Sequence, residues 1–289
     1  MPVLLALVAV TAVWGVTFVQ VKDAVELYPL FPFLALRFGI ATLTLVFPGA
    51  ARVRGLGRAG AAAAALAGVL LAGGYALQTL GLERTSVSNA GFVTGMYVVL
   101  TPLLGLVLFR LRVGASVWLG VVLATAGLAM IAGVPGGSST GDLLVLGGAA
   151  VYSLQILLME RYAPRYDPLG FTLVEMTAAF AVLAVAAAPS AAVPHGATVW
   201  GALLVTGVFA SALAFLVQTW AQRRTSANRT ALVFTLEPVW AALFGFTLAG
   251  DRLGALGWAG CAVIMAGIVL AEPAAANLLA RRVRRPRTA

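Results

Sequence analysis

The sequence predicts an all-α integral membrane protein with ten transmembrane helices, arranged as two inverted five-helix repeats. Three observations favour this fold class: the apolar composition, ten apolar segments of bilayer-spanning length, and a stretch of sequence that occurs twice. Hydrophobic residues make up 61% of the 289 residues and charged residues only 10%, whereas a soluble domain has about 25% charged residues. With a mean hydropathy of +0.99, most of the chain is expected to lie in a lipid bilayer.

Runs of about 20 apolar residues are long enough to cross a bilayer as helices. We predict ten such spans, at residues 3–21, 30–49, 61–81, 88–109, 115–133, 140–159, 168–188, 198–221, 227–248 and 254–272. The first is interpreted as a membrane helix and not as a signal peptide, because no basic residue precedes it. The connections are mostly shorter than ten residues, so consecutive spans are expected to pack as antiparallel neighbours.

The longest connection lies at the middle of the chain and is rich in glycine: Gly133, Gly136, Gly137 and Gly141. We place the boundary between two halves there. The predicted units are residues 1–136 as the first repeat, 137–276 as the second repeat, and 277–289 as a basic cytoplasmic tail.

The distribution of basic residues predicts the orientation. With the C-terminus in the cytoplasm, 15 of the 19 Lys and Arg residues fall on the inner side, and only Lys22, Arg84 and Arg252 fall on the outer side. Such an asymmetry is typical of a positive-inside topology, and ten spans then place both termini in the cytoplasm. The basic tail from Arg281 to Arg287 is interpreted as a topology determinant or a contact for anionic lipids. The net charge of +9 is therefore no indication of a nucleic-acid partner.

The duplicated stretch gives the two halves a common design. Gln78-Thr79 recurs as Gln218-Thr219, and Arg84-Thr85-Ser86 recurs as Arg224-Thr225-Ser226, in both cases 140 residues later. A period of half the chain indicates one fold unit used twice. Because each half has five spans, an odd number, the halves are expected to enter the membrane from opposite sides. Inverted repeats of this kind are typical of secondary transporters, which bind their substrate between the halves and open alternately to each side.

Six of the ten spans carry a stripe of aromatic and polar residues, whereas spans 5 and 10 carry almost none. Polar groups facing lipid are costly, so we predict a central substrate-binding cavity lined by these six spans. Its candidate binding residues are Trp14, Thr17, Tyr75, Gln78, Thr94, Tyr97, Tyr152, Gln155, Gln218 and Phe234. The alternative is that such residues bond helices to each other or lie at the membrane interface.

Three ionisable residues inside spans are candidates for coupling or gating: Glu237, Arg37 and Glu175. Glu237 directly precedes Pro238 in the ninth span, and its carboxyl group would suit a proton relay, a substrate amine or a bond between helices. Glu175 lies about two turns from the predicted inner end of the seventh span. Arg37 is expected to snorkel or to form a structural or gating ion pair, for which the acidic candidates are Asp23, Glu26 and Glu83.

Two prolines occupy equivalent places in the repeats. Pro102 lies in the fourth span and Pro238 in the ninth. Proline inside a helix removes a backbone hydrogen bond and bends the helix. We therefore predict that these prolines are symmetric hinges or shape symmetric cavity walls.

The absence of several sequence motifs argues against other classes of membrane protein. The sequence has no GxxxxGK[ST] motif, so no ATP is expected, and its one histidine, His195, lies in a predicted outer loop, which excludes a histidine-based metal site. It contains no GxSxG motif and no segment resembling a selectivity filter. We expect no enzyme, no cofactor and no metal. These features favour a secondary transporter with a small-molecule substrate; a channel or membrane scaffold is the alternative, and the oligomeric state, monomer or homodimer, stays open.

Short motifs along the whole chain resemble the EamA-type members of the drug/metabolite transporter superfamily. They are Trp14-Gly15 with Phe18, Ala35-Leu36-Arg37-Phe38, Leu236-Glu237-Pro238 followed by Ala241-Ala242-Leu243-Phe244-Gly245, and Gly250-Asp251-Arg252-Leu253. The resemblance covers two units, one in each repeat. The first unit departs from the second at Thr101, which stands where the second unit has Glu237.

The resemblance implies a ten-helix, inverted-repeat exporter in the inner membrane of a bacterium. Relatives of this type expel amino acids, including aromatic ones, and other small metabolites. Aromatic residues in the predicted cavity would suit such cargo because aromatic rings pack favourably on each other. An importer or exchanger of the same fold for other metabolites is the alternative.

Overall fold

The structure, a computed structural model, is described over residues 2–85, 87–132, 140–190, 192–244, 246–247 and 254–271. Over these residues every regular element is helical. The α-helices are α1 (Pro2–Leu27), α2 (Leu30–Val53), α3 (Gly57–Leu82), α4 (Val87–Gly95), α5 (Tyr97–Phe109), α6 (Ala115–Ala132), α7 (Thr140–Tyr162), α8 (Pro168–Ala187), α9 (Ala197–Val205), α10 (Ala214–Gln222), α11 (Ala227–Phe234), α12 (Leu236–Phe244) and α13 (Ala255–Ala271). The predicted basic tail, Asp251, and the glycines at 133, 136 and 137 lie outside the described residues, whereas Gly141 belongs to α7 and not to the connection.

Six helical segments of the described chain are long and apolar enough to cross a membrane: Leu30–Leu82, Ala90–Phe109, Ala115–Ala132, Thr140–Arg165, Pro168–Ser190 and Ala197–Gln222. Shorter apolar helices cover Pro2–Thr17 and Ala255–Ala271. The fold is thus that of a multi-pass, all-helical membrane protein, and the number of ten crossings stays a prediction. Large apolar side chains such as Phe47, which is 96% exposed, cover the outer surface, as expected for a surface in contact with lipid.

Three predicted spans are interrupted in the structure. The fourth is divided into α4 and α5 at Met96, and the ninth into α11 and α12 at Thr235. At both breaks the amide bonds to a carbonyl three residues earlier, at 3.1 Å and 3.3 Å respectively, which is a tighter turn than an α-helix makes. Pro102 lies inside α5 and Pro238 in the first turn of α12, downstream of the breaks. Their hinge role stays a prediction.

The third interruption is a π-helical segment, Thr206–Leu213, between α9 and α10. It divides the eighth predicted span without ending it, because helical hydrogen bonding continues on both sides. In a π-helix the carbonyl bonds shift by one residue, so some carbonyl groups become available to side chains. No apolar pattern in the sequence indicates this change.

The helices pack mainly across the two halves and not with their neighbours in sequence. The most extensive pairings are α6 with α13, α2 with α8, α3 with α7 and α8, and α1 with α12, while α2 and α3 contact each other little. The expectation that consecutive spans would be the main neighbours is therefore wrong. Small residues explain the difference, since they let backbones of opposite halves approach closely: a Cβ added at Gly127 would lie 2.6 Å from the Gly260 carbonyl oxygen.

The buried apolar residues form three clusters. The largest joins α1 to α5, α6, α11 and α13 and includes Leu128 and Ile264. The second lies between α2, α3, α8 and α9, and Trp14 of α1 contacts both of these clusters. A smaller third cluster, around Met159 and Phe171, closes the bundle where the start of α3 and the end of α7 meet the start of α8.

Candidate functional site

A cavity of about 320 Å³ lies between the two larger clusters. Its lining begins at Glu26 and Glu83, which are exposed, and ends at Gln155, Ile156 and Gln218, which are buried. The cavity therefore opens at one end of the bundle and is closed at the other. In the orientation predicted from the basic residues, the open end faces outward.

All ten residues predicted to bind substrate line this cavity: Trp14, Thr17, Tyr75, Gln78, Thr94, Tyr97, Tyr152, Gln155, Gln218 and Phe234. Arg37 and Glu237 also line it. Glu175 does not; it lies behind Gln155 and is 0% exposed. Helices α6 and α13 contribute no lining residue among the described residues.

Aromatic rings form two opposite walls of the cavity. On one side, Trp14 packs edge-on against Phe234 at 4.9 Å between ring centroids, and Tyr97 packs edge-on against Phe234 at 6.5 Å. On the other side, Tyr75 and Tyr152 pack edge-on at 5.6 Å. Edge-to-face pairs at these distances are favourable, so the rings present a preformed apolar surface to a ligand.

The π-helical segment holds Arg37 in the cavity wall. The Arg37 Nε donates to Ser211 Oγ at 2.7 Å, and its Nη2 donates to the Ala210 carbonyl at 3.4 Å. The same carbonyl accepts from Trp14 Nε1 at 2.8 Å. A Cβ at Gly207 would lie 3.0 Å from the Arg37 carbonyl oxygen, so glycine is what allows α2 to approach this segment. The local change of helix type thus places a guanidinium group and an indole side by side.

Two of the expected acidic partners of Arg37, Glu26 and Glu83, form no ion pair with it. The side chain of the third, Asp23, lies outside the description. Instead, Nη2 donates to Tyr75 Oη at 3.1 Å, and the guanidinium carbon lies 4.9 Å from the Tyr75 ring centroid. Arginine often stacks on aromatic faces in this way. Among the described side chains, Arg37 is therefore held by neutral groups and not by a carboxylate.

Glu237 supplies a carboxyl group to the cavity wall. Its side chain lines the cavity from the first turn of α12 and is half-buried. Within the described chain it forms no hydrogen bond and no ion pair; the ion pair that is found joins Arg52 to Asp167 at 2.9 Å. Away from Glu26 and Glu83 at its open end, the cavity thus contains one guanidinium group and one carboxyl group that do not contact each other. The described residues include no cluster of three or more His, Cys, Asp or Glu side chains that could hold a metal ion.

The buried amides link helices as well as lining the cavity. The Gln78 amide donates to Thr94 Oγ1 at 2.9 Å and accepts from Tyr152 Oη at 3.0 Å. Gln218 donates to Gln155 Oε1 at 3.1 Å. Both alternatives considered from the sequence therefore apply to the same side chains, because a cavity wall in a helical bundle is also a contact between helices.

Two polar residues of this region, Gln222 and Ser211, are not among the residues predicted from the sequence. Gln222 follows Gln218 by four residues on α10 and bonds to it at 2.9 Å; this spacing places both on one helix face and was visible in the sequence. Ser211 bonds to Arg37, which is 174 positions away. No local pattern indicates that contact.

Comparison with known proteins gives consistent results. The family model described as the EamA-like transporter family matches residues 1–133 and 139–271. An uncharacterized transporter of Archaeoglobus fulgidus is 30% identical over 271 residues, which is 92% of this chain and 84% of the relative. The uncharacterized transporter YyaM of Bacillus subtilis is 25% identical over 89% of each chain.

A solved crystal structure has the same fold. It aligns with a TM-score of 0.80 over 98% of this chain and 99% of that chain, at 20% sequence identity. The two family matches, the relatives named as transporters and the helical cavity agree with each other. The chain belongs to the EamA-like transporter family of the drug/metabolite transporter superfamily, and it is a multi-pass membrane transporter and not an enzyme.

Proposed function

We propose that this protein is a secondary transporter that exports amino acids and related amphipathic metabolites. It works by alternating access at the central cavity, between two inverted repeats of five transmembrane helices each. We place it in a bacterial inner membrane with both termini in the cytoplasm. Pro102 and Pro238 act as hinges of the two halves.

The observation that carries this proposal is that a guanidinium group and a carboxyl group line one cavity together with aromatic rings. Arg37 and Glu237 line one cavity but form no ion pair with each other. A zwitterion satisfies both, because its carboxylate can bind the guanidinium group and its ammonium group can bind the Glu237 carboxylate. An apolar or aromatic side chain then packs between rings such as Trp14 and Phe234.

The same charges disfavour a purely anionic substrate. A sugar nucleotide or a phosphorylated sugar bound at Arg37 would bring its negative charges next to Glu237, and like charges repel strongly in a poorly solvated cavity. Besides Arg37 and Glu237, the lining includes the acidic Glu26 and Glu83 at the open end and the neutral hydroxyls of Tyr97, Tyr152 and Thr17. We therefore rank carriers of phosphorylated metabolites below carriers of zwitterions.

The packing of the helices supports alternating access. In the first half, α3 packs against α7 and α8; in the second half, α10 and the adjoining π-helical segment pack against α1 and α2. Each contact in one set has its counterpart in the other set when the helices of the first repeat are matched to those of the second. The open and the closed end of the cavity are therefore built from equivalent helices. In transporters with inverted repeats, the cavity opens to the other side when each repeat adopts the conformation that the other repeat had before. The arrangement described here corresponds to release on the outer side.

A resistance screen tests the substrate class. Cells that express the protein should survive toxic zwitterionic amino-acid analogues better than cells without it, because export lowers the internal concentration. Cationic drugs are included in the same screen as the competing cargo. Protection against none of the amino-acid analogues would refute the amino-acid proposal, and single-channel currents from the purified protein in planar bilayers would refute the carrier.

The variant Glu237→Gln tests the proposed amine contact. It preserves the volume of the side chain and removes its charge, so the KM for a zwitterionic substrate is expected to rise about 10- to 100-fold, the equivalent of one charge-assisted hydrogen bond. The measurement is substrate uptake into everted vesicles over a range of concentrations. Glu160→Gln, which changes a carboxyl outside the cavity, serves as the matched control. An unchanged KM in Glu237→Gln would exclude an amine contact.

A further inference from the structure

A chain of buried polar side chains continues from the closed end of the cavity, away from its mouth. Gln155 Nε2 donates to Glu175 Oε1 at 2.8 Å, and Gln218 Nε2 donates to Gln155 Oε1 at 3.1 Å and to Gln222 Oε1 at 2.9 Å. Gln222 Nε2 in turn donates to the Ile156 carbonyl at 2.8 Å. This polar chain joins α7, α8 and α10, and each of its side chains is at most 2% exposed.

Two acceptors of the polar chain have no donor. Glu175 Oε2 and Gln218 Oε1 are both buried and accept no hydrogen bond from the described residues. Gln218 uses both of its N–H groups as donors, and Gln155 and Gln222 use one each. An ionised carboxylate only accepts, whereas a protonated carboxyl supplies one O–H donor. A proton on Glu175 therefore adds a donor to a cluster in which two acceptors are unsatisfied.

In the described part of the chain, no cationic side chain bonds to Glu175. The ionisable residues of the described helices and turns that contact α8, together with those of α7, are Arg37, Arg52, Arg54, Arg58, Tyr75, Asp142, Tyr152, Glu160, Arg161 and Tyr162. None of them forms an ion pair or hydrogen bond with Glu175. An ionised carboxylate buried without a cation costs several kcal/mol. In this arrangement the neutral carboxyl is strongly favoured.

The internal repeat relates Glu175 to Arg37. Helix α2 begins at Leu30 and α8 begins at Pro168, an offset of 138 residues, and the same offset relates Arg37 to Glu175. Arg37 lines the open cavity, whereas Glu175 is fully buried behind its closed end. The two ionisable residues therefore occupy equivalent positions in the two repeats.

A second pair follows the same rule. Val25, which lines the open cavity and is partly exposed, corresponds at an offset of 138 to Ala163. Ala163 is 1% exposed, within the apolar cluster that closes the inner end. If the two repeats exchange their conformations, the inner end opens. The residues that become exposed there are the repeat equivalents of those that line the cavity now, and Glu175, as the equivalent of Arg37, is one of them.

We propose that Glu175 is a proton-binding gate residue of this transporter. It is protonated while the inner end of the cavity is closed, and it releases the proton to water on the inner side when that end opens. This inference rests on the alternating access proposed above. Because the closed form binds the proton and the open form does not, acid favours the closed inner end and alkali favours its opening. A single proton changes the ratio of the two forms by at most about tenfold per pH unit.

A cysteine reporter measures this opening directly. In a Cys261→Ala background, Ala163→Cys places a thiol at a position that is buried now and that the repeat predicts to be exposed when the inner end opens. Inside-out vesicles are treated with a membrane-impermeant maleimide at several pH values. The labelling rate is divided by that of Ala51→Cys, an exposed position at the end of α2, which corrects for the pH dependence of the reagent.

The corrected rate is expected to rise with pH, by up to about tenfold per unit, in the reporter background. Glu175→Gln cannot ionise, so it should label slowly at every pH, and Glu175→Leu should also lose the pH dependence if the first variant folds poorly. Glu160→Gln, a carboxyl at the end of α7 outside the polar chain, should retain it. An unchanged pH dependence in Glu175→Gln, or no pH dependence in the reporter background, would overturn the proposal.

This assay contains no amino acid. Failure of amino-acid protection in cells, together with pH-dependent labelling that requires Glu175, would contradict the proposed substrate and leave the gate intact. The opposite pattern, amino-acid transport with labelling independent of Glu175, would contradict the gate alone.

Discussion

Replacing Gly260 by valine is expected to separate α6 from α13 and to lower the stability of the protein by about 3 kcal/mol or more. A Cβ at this position would lie 2.6 Å from the Gly127 carbonyl oxygen and 2.9 Å from Met130 Cβ. Overpacking of a core costs about 1–3 kcal/mol when side chains can adjust, and here the obstacle is backbone, which adjusts less. The melting temperature in detergent should fall by roughly 6–12 °C.

The control for this prediction is Gly201→Val on α9, where a Cβ would meet no atom within 4 Å. Both changes place the same β-branched residue in a helix, so the cost in helix propensity is similar and cancels in the comparison. Thermal unfolding followed by size-exclusion chromatography of the fluorescent fusion measures both variants. Equal melting temperatures for the two would contradict the close approach of α6 and α13.

This helix pair also shows what the sequence could not predict. The positions of the helices follow from the apolar runs, because the length that a helix needs to cross a bilayer is a local property; α2 and α8 begin where spans were predicted to begin, at Leu30 and Pro168. Which helices face each other is decided by matching surfaces. Gly120 and Gly127 on α6 meet Gly267 and Gly260 on α13, and no short connection indicates that pairing.

The cavity lining was predictable for a different reason. A polar side chain in a membrane span is costly when it faces lipid, so it is expected to face protein or a water-filled cavity. The same polar positions recur in both repeats, which indicates that they share a structural role. Contacts of Arg37 were not predictable. Its partners Ser211 and the Ala210 carbonyl become available through the π-helical segment, whose geometry depends on side chains from other helices. The sequence indicated Asp23, Glu26 and Glu83 as partners because they lie, like Arg37, near the predicted outer side.

Replacing Arg37 by methionine is expected to give the largest loss of transport of any single change in the cavity. The change removes the cavity cation and leaves Ser211 Oγ without its donor, while the Ala210 carbonyl keeps Trp14. Losing a charged hydrogen bond to the substrate carboxylate costs about 3 kcal/mol, so kcat/KM for a zwitterion should fall about 100-fold. Arg37→Lys should restore only part of it, because an ammonium group cannot bond Ser211 and Tyr75 from one planar fork.

A loss of transport alone would not separate substrate binding from support of the wall, since Arg37 also bonds Tyr75. The separation comes from the substrate. An amino-acid amide carries the ammonium group but no carboxylate, so Arg37→Met should affect its uptake much less than that of the parent amino acid. Arg58→Met, which changes an exposed arginine at the start of α3, should affect neither. Equal losses for the amino acid and its amide would show that Arg37 supports the cavity wall and does not bind the carboxylate.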